Sequence, residues 1–158
     1  MMAQIVSSFI GGLGFSIVFG VRKPYMLLIA LNAALSWGVY LLVNSFWGDF
    51  AANMLSAVFC SLVAAGLAPI LRVPRIVLQM PATVPMIPGG RLYYTMFYIF
   101  SGDQASAASY LFSTVRAIFA LAIGFAAVSV LLKAFELRRS SASGEKNFKS
   151  EAQAVLGR

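Results

Sequence analysis

The sequence predicts an all-α integral membrane protein with about five transmembrane helices. Hydrophobic residues make up 60% of the chain and charged residues 11%, whereas a soluble domain carries about 25% charged residues. The mean hydropathy of +0.84 agrees with a chain that is mostly embedded in lipid. At roughly 20 residues per crossing, the 158 residues accommodate five helices and short loops. No soluble domain of ordinary size fits beside them.

Uncharged apolar stretches divide the chain into these five spans. In chain order they cover about Gln4 to Val21, Tyr25 to Gly48, Phe50 to Leu71, Ile76 to Ser101 and Ala107 to Leu132. The fourth differs from the others because prolines and glycines interrupt it, and a re-entrant loop would also suit it. After Arg139 the composition changes to serine, glycine and charged residues. We therefore expect a transmembrane helical domain over residues 1–137 and a disordered cytoplasmic tail over residues 138–158.

The charges between the spans alternate in sign. The basic positions are Arg22, Lys23, Arg72, Arg75, Lys133, Arg138 and Arg139, which follow spans one, three and five. The acidic positions Asp49 and Asp103 follow spans two and four. The positive-inside rule then places the N-terminus outside and the C-terminus in the cytoplasm of a multi-pass inner-membrane protein. The net charge of +7 is explained by this orientation, and we expect no nucleic-acid partner.

The interruption of span four is the main functional signal. Pro81, Pro85 and Pro88 precede the pair Gly89-Gly90 within an otherwise apolar segment. Each interior proline removes a helix donor and clashes with the preceding turn. Because lipid offers no hydrogen bonds, irregular backbone at that depth is tolerated only against protein or a water-filled cavity. Transporters bind substrates and ions at such broken helices.

Arg91 begins the second half of this broken span, near the predicted bilayer midplane. The positive end of the helix would repel its charge, and a substrate carboxylate there would remove the conflict. The alternative is that Arg91 extends to the interface or meets an acid on a partner chain. Arg116 in span five is expected to extend to the interface or to pair with Asp103. The candidate substrate-binding residues are Pro85, Pro88, Gly89, Gly90 and Arg91, with Thr83 and Thr95 as weaker polar contacts.

Small residues recur every four positions in two spans. The sets are Ser8, Gly12, Ser16 and Gly20, and Ala52, Ser56, Cys60, Ala64 and Ala68. This spacing favours close helix packing, either within the chain or against a second subunit. The chain contains no histidine, and no nucleotide-binding or nucleophile motif was found. We therefore expect neither enzymatic activity nor a metal or other cofactor.

The run Val84-Pro85-Met86-Ile87-Pro88-Gly89-Gly90, with Leu92-Tyr93-Tyr94-Thr95-Met96 and Gly102-Asp103 after it, resembles the threonine/serine exporter family. In length and span order the chain is similar to the small subunit of the split, two-component exporters. The resemblance implies a larger partner subunit of the same family. It also implies export of small carboxylates or hydroxy-amino acids, such as threonine, serine or a dicarboxylate, without an ATP site.

The sequence therefore favours a membrane subunit of a secondary exporter. Two alternatives stay open at this point. One is a membrane scaffold or assembly subunit that transports nothing and packs through its small-residue stripes. The other is a homo-oligomeric channel.

Overall fold

The structure, a computed structural model, describes the backbone of residues 2–156 and the side chains of residues 2–135 and 138. It is helical, and no β-strand occurs among the described residues, so the predicted all-α class is confirmed. The elements are α1 (Met2–Val18), α2 (Lys23–Leu71), α3 (Arg75–Thr83), a 3-10 turn (Val84–Met86), α4 (Gly89–Phe100) and α5 (Gln104–Leu156).

Helix α2 consists of two arms that meet at Gly48. This residue has φ 80° and ψ 174°, a conformation that is not helical and that side-chain-bearing residues rarely adopt. Residues 23–47 and 49–71 are the two arms, and they contain the second and third predicted spans. At its end, Arg72 has φ 53° and donates its backbone N–H to the carbonyl of Ala68, which ends the second arm.

Helix α1 packs against the first arm of α2 through small residues. Ser8, Gly12 and Ser16 are buried. A Cβ atom at Gly12 would lie 2.9 Å from Cβ of Ala33 and 3.1 Å from Cα of Ala30, so the two backbones are in close approach. The second small-residue stripe is also buried within the chain, at Ala52, Ser56, Cys60 and Ala64.

Residues 75–100 form two short helices around an irregular segment. Helix α3 contains Pro81, the 3-10 turn contains Pro85, and Pro88 is the N-cap of α4. At 1.5 Å per residue α3 is about 14 Å long and α4 about 18 Å. Neither helix alone matches a hydrocarbon core about 30 Å thick.

Helices α4 and α5 form an antiparallel hairpin around Gly102, which has φ 80°. Asp103 accepts a hydrogen bond of 3.1 Å from the backbone N–H of Ser106 and so caps the start of α5. The ring of Tyr110 on α5 stacks on Tyr98 of α4, with ring centroids 5.4 Å apart. The ring of Tyr94 lies 5.5 Å from Tyr110. These contacts fix the register in which α4 and α5 pack.

Within the described part of the chain, α2 and residues Gln104–Phe135 of α5 are long and apolar enough to cross a membrane. Helix α1 is apolar but shorter. Helix length and composition do not determine the number of crossings or their orientation, which stay predictions.

The chain forms two compact units, residues 1–125 and residues 126–158. The backbone of α5 is helical through Leu156. Most side chains beyond residue 135 lie outside the described residues, and the boundary between a membrane domain and a tail at residue 138 stays a prediction.

Candidate functional site

Arg91 lies in the first turn of α4 and forms an ion pair with Asp49. Its Nη1 donates to Oδ2 of Asp49 at 2.7 Å, and its Nη2 donates to Oδ1 of the same carboxylate. This is the fork geometry in which a guanidinium binds a carboxylate most strongly. Both side chains remain 28% exposed. The acid that binds Arg91 therefore lies in this chain, whereas the sequence offered an acid on a partner chain as one alternative.

Asp49 reaches Arg91 because it directly follows the bend at Gly48. Its Oδ1 also accepts hydrogen bonds from the hydroxyl of Tyr40, at 2.9 Å, and from Nδ2 of Asn53, at 3.1 Å. Asn53 donates to the backbone carbonyl of Asp49 as well, at 2.7 Å. The two arms of α2 therefore both contribute donors to one carboxylate.

Helix α5 contributes Ser113 to the same cluster. Nη1 of Arg91 lies 3.1 Å from Oγ of Ser113, to which it donates a hydrogen bond. Arg91 and Ser113 lie eleven residues before and eleven residues after Gly102. At 1.5 Å per residue, each is about 16 Å along its helix from the hairpin turn.

The irregular segment before α4 lines a cavity of about 310 Å³. Five of the seven candidate residues lie around it together, namely Pro85, Pro88, Gly89, Gly90 and Arg91. Trp37, Tyr40 and Asn53 line its other side. The indole Nε1 of Trp37 is buried and has no hydrogen-bond partner among the described residues. No side chain caps the N-terminus of α4. The cavity therefore contains donors that an anionic or hydroxylated solute can use.

A larger cavity of about 610 Å³ lies on the α5 side of the ion pair. Its lining comprises Tyr40, Asn44, Asp49, Arg91, Phe112, Ser113 and Arg116. The guanidinium of Arg116 lies 5.8 Å from the centroid of the Phe50 ring. Arg116 has no acidic partner among the described side chains. Of the two expectations for Arg116, the ion pair with Asp103 is not formed among the described side chains, and extension to the interface stays a prediction.

Thr83 and Thr95 line neither of these two cavities. Each hydroxyl donates to the carbonyl four residues earlier, Thr83 to Gln79 at 2.6 Å and Thr95 to Arg91 at 2.8 Å. Such bonds are the usual way in which a threonine inside a helix satisfies its hydroxyl. Their role as polar contacts for a substrate stays a prediction.

Neither residue of the glycine pair Gly89-Gly90 has positive φ. The glycines with positive φ are Gly20, Gly48 and Gly102. At Gly89 and Gly90 an added Cβ would meet no atom within 4 Å. These two positions are therefore open rather than strained, and both line the cavity of about 310 Å³.

Asp49 was not among the predicted site residues, because an acid between two apolar stretches is typical of a loop between spans. The neighbouring Gly48 was the feature of the sequence that could have indicated this role, since a glycine can adopt positive φ and so allow a tight bend that turns Asp49 inward.

Comparison with known proteins identifies the family. The family described as threonine/serine exporter, ThrE, matches residues 4–131, which is most of the chain. No curated protein and no solved structure matches. The match and the long apolar helices indicate a membrane protein with an exporter-type transport role. The resemblance noted around the proline-glycine motif is confirmed, and the chain belongs to the threonine/serine exporter family.

Proposed function

We propose that this chain is the membrane subunit of a secondary exporter that moves small carboxylates or hydroxy-amino acids out of the cell together with a larger partner subunit. The observation that carries the proposal is Arg91. Its guanidinium already binds a carboxylate in fork geometry, and it lines two cavities beside the irregular segment. A guanidinium in that setting is suited to a carboxylate substrate.

The charges around the cavities suit both substrate classes. A hydroxy-amino acid offers a carboxylate to Arg91 and a hydroxyl to the neighbouring polar side chains. A dicarboxylate offers its second carboxylate to Arg116, which lines the larger cavity. The site residues of the proposal remain Pro85, Pro88, Gly89, Gly90 and Arg91, with Thr83 and Thr95 as secondary contacts.

A five-span arrangement in the inner membrane is part of this proposal. The arms of α2, residues 23–47 and 49–71, are each longer than 30 Å at about 1.5 Å per residue, so each is long enough to cross. Helices α3 and α4 together supply one further crossing. The alternating loop charges favour an outside N-terminus and a cytoplasmic C-terminus.

The need for a larger partner follows from the single broken segment. Secondary transporters usually place their site between two related halves, and this sequence contains no internal repeat. The open space at Gly89 and Gly90 leaves room for a second chain or a solute beside α4.

The scaffold alternative is less well supported. It relies on stripes of small residues that are available to another protein, but the buried members of both stripes already lie inside this chain. Gly12 in particular contacts α2 closely. A homo-oligomeric channel is an alternative that the transport experiment below distinguishes.

Cysteine reactivity tests whether the irregular segment faces water. Gly89→Cys and the control Gly66→Cys both occupy open positions, but only Gly89 lines a polar cavity. The native Cys60 is fully buried and gives little background. With the partner present, a membrane-impermeant, charged maleimide should label Gly89→Cys in everted or right-side-out vesicles much faster than Gly66→Cys. Equal labelling rates would contradict a water-facing site.

Transport with and without the partner distinguishes the remaining alternatives. Cells that express this chain and the larger subunit should export labelled L-threonine or succinate, and cells that express this chain alone should not. Full export by the purified chain alone in liposomes would favour the homo-oligomeric channel. Absence of export in every combination would favour the scaffold.

A further inference from the structure

The carboxylate of Asp49 binds the guanidinium of Arg91 in the way that the carboxylate of a transported solute would bind it. The two oxygens of Asp49 accept from two different nitrogens of one guanidinium. We propose that Asp49 is an internal competitor for Arg91, whose carboxylate binds the guanidinium in the empty site and releases it to the carboxylate of the solute. This inference rests on the proposed function, because it concerns how the same site is filled.

The released carboxylate of Asp49 would keep two donors. The hydroxyl of Tyr40 and Nδ2 of Asn53 both donate to Oδ1, and the Tyr40 hydroxyl also accepts a long hydrogen bond of 3.5 Å from Nη2 of Arg91. Removing the cation from a buried carboxylate is ordinarily costly because the charge is left unpaired. Here the two neutral donors and the partial exposure of the side chain reduce that cost. Asp49 can therefore release Arg91 while the bend at Gly48 keeps its conformation.

The guanidinium of Arg91 is also placed for exchange. Ser113 accepts one of its N–H groups, so Arg91 keeps a fixed neighbour when Asp49 leaves. Cavities of about 310 Å³ and about 610 Å³ both reach Arg91. Arg116 lines the larger one and has no acidic partner among the described side chains. A carboxylate entering that cavity meets Arg116 as well as the Arg91–Asp49 pair.

Two substitutions should change the solute concentration for half-maximal export in opposite directions. Asp49→Asn removes the competing charge and keeps the shape, so the solute concentration for half-maximal export should fall by on the order of fivefold. Tyr40→Phe removes both a donor to Asp49 and an acceptor for Arg91, so the carboxylate and the guanidinium are left to bind each other more tightly. The half-saturating concentration should then rise. A merely structural role for Asp49 would not produce changes of opposite sign.

The experiment uses the complex of this chain with its larger partner, and labelled succinate and L-threonine as probes. Export is measured against probe concentration at matched membrane abundance. The melting temperature of the purified complex is measured against the same probes, so that binding is seen without transport. The matched control is Asp103→Asn, which removes the same charge at the exposed start of α5, outside the site.

The inference predicts that Asp49→Asn responds to lower probe concentrations than the wild type in both measurements, while Asp103→Asn matches the wild type. If the wild type exports neither probe but Asp49→Asn is stabilised by lower concentrations, the proposed function fails and the inference stands. Equal responses of Asp49→Asn and wild type, including no response in either, overturn the inference. If Asp49→Asn does not reach the membrane, the test relies on Tyr40→Phe. An unchanged or lowered half-saturating concentration for Tyr40→Phe then overturns the inference.

Discussion

The guanidinium of Arg91 binds the carboxylate of Asp49 through two nitrogens, across 42 residues of chain. This contact joins the start of α4 to the bend in α2. Because Ser113 of α5 accepts from the same guanidinium, three helices converge on one charged group. The cavity beside the proline-glycine segment is therefore built around an arginine that is already able to bind a carboxylate.

Membrane orientation is the first prediction. Five crossings with alternating loop charge should leave Asp103 outside and the C-terminal segment in the cytoplasm. Fusions of a periplasmic reporter at Gly48 and Gly102 should be active, and fusions at Val73 and Gly144 should be inactive. Cytoplasmic reporters at the same four positions serve as the control and should give the opposite pattern. An active periplasmic reporter at Gly144 would overturn the orientation.

Helix packing at Gly12 is the second prediction. Gly12→Val should destabilise the chain by about 1–3 kcal/mol, because the added atoms collide with Ala30 and Ala33 on α2. Gly14→Val is the matched control, since a Cβ there would meet no atom within 4 Å. Thermal unfolding in detergent should show a lower melting temperature for Gly12→Val alone. Equal melting temperatures would mean that α1 does not pack closely on α2.

The open glycines at the start of α4 give the third prediction. Gly89→Leu and Gly90→Leu should insert normally, because an added Cβ meets no atom within 4 Å at either position. Their larger side chains should nevertheless obstruct the cavity that both positions line. Export should be lost while membrane abundance stays at the wild-type level. Gly66→Leu, at an open position outside the cavity, should export normally. Loss of abundance in both cavity variants would point to a structural role.

The capping contact at the start of α5 gives the fourth prediction. A hydrogen bond from the side chain of Ser106 lowers the pKa of the Asp103 carboxyl below its ordinary value of 3.8. Because the pKa is lower in the folded state, the stabilisation is present above the ordinary value and is lost as the pH falls through the lowered one. The melting temperature of the wild type should exceed that of Asp103→Asn slightly at neutral pH.

This difference between wild type and Asp103→Asn should disappear on acidification, because protonation removes the charge that distinguishes the two side chains. Asp103→Ala should be less stable than Asp103→Asn throughout, since asparagine still caps the helix and alanine does not. A difference in melting temperature between wild type and Asp103→Asn that is independent of pH would show that the charge of Asp103 does not stabilise the start of α5.

The sequence predicted the family and the helical class because apolar stretches and the proline-glycine run are local signals. It also predicted that the residues from Pro85 to Arg91 act together, and the structure brings them to one cavity. The partner of Arg91 was not predicted, because hydropathy places Asp49 in a loop and does not show that Gly48 turns it inward. The contact between Ser113 and Arg91 was not predicted either, because it depends on the register in which α4 and α5 pack.

The role of individual polar residues was less predictable, because it depends on which neighbours the fold brings to each side chain. A threonine in a helix either contacts a neighbour or bonds to its own helix, and the sequence does not distinguish the two. Thr83 and Thr95 both bond to their own helices. Positive φ occurs at Gly48, at the bend next to Asp49, and a glycine in the sequence does not by itself show this conformation.

The central claim is that Arg91 binds the carboxylate of the exported solute. It is tested most directly by the half-saturating concentration for export of the double variant Asp49→Asn/Arg91→Gln compared with Asp49→Asn alone, each expressed with the larger partner at equal membrane abundance. The comparison keeps position 49 constant, and the double variant leaves no unpaired carboxylate at that position. Loss of a charged hydrogen-bond donor costs about 1.5–3 kcal/mol, so the concentration should rise by about tenfold or more. Equal half-saturating concentrations would contradict the claim and place the substrate site elsewhere.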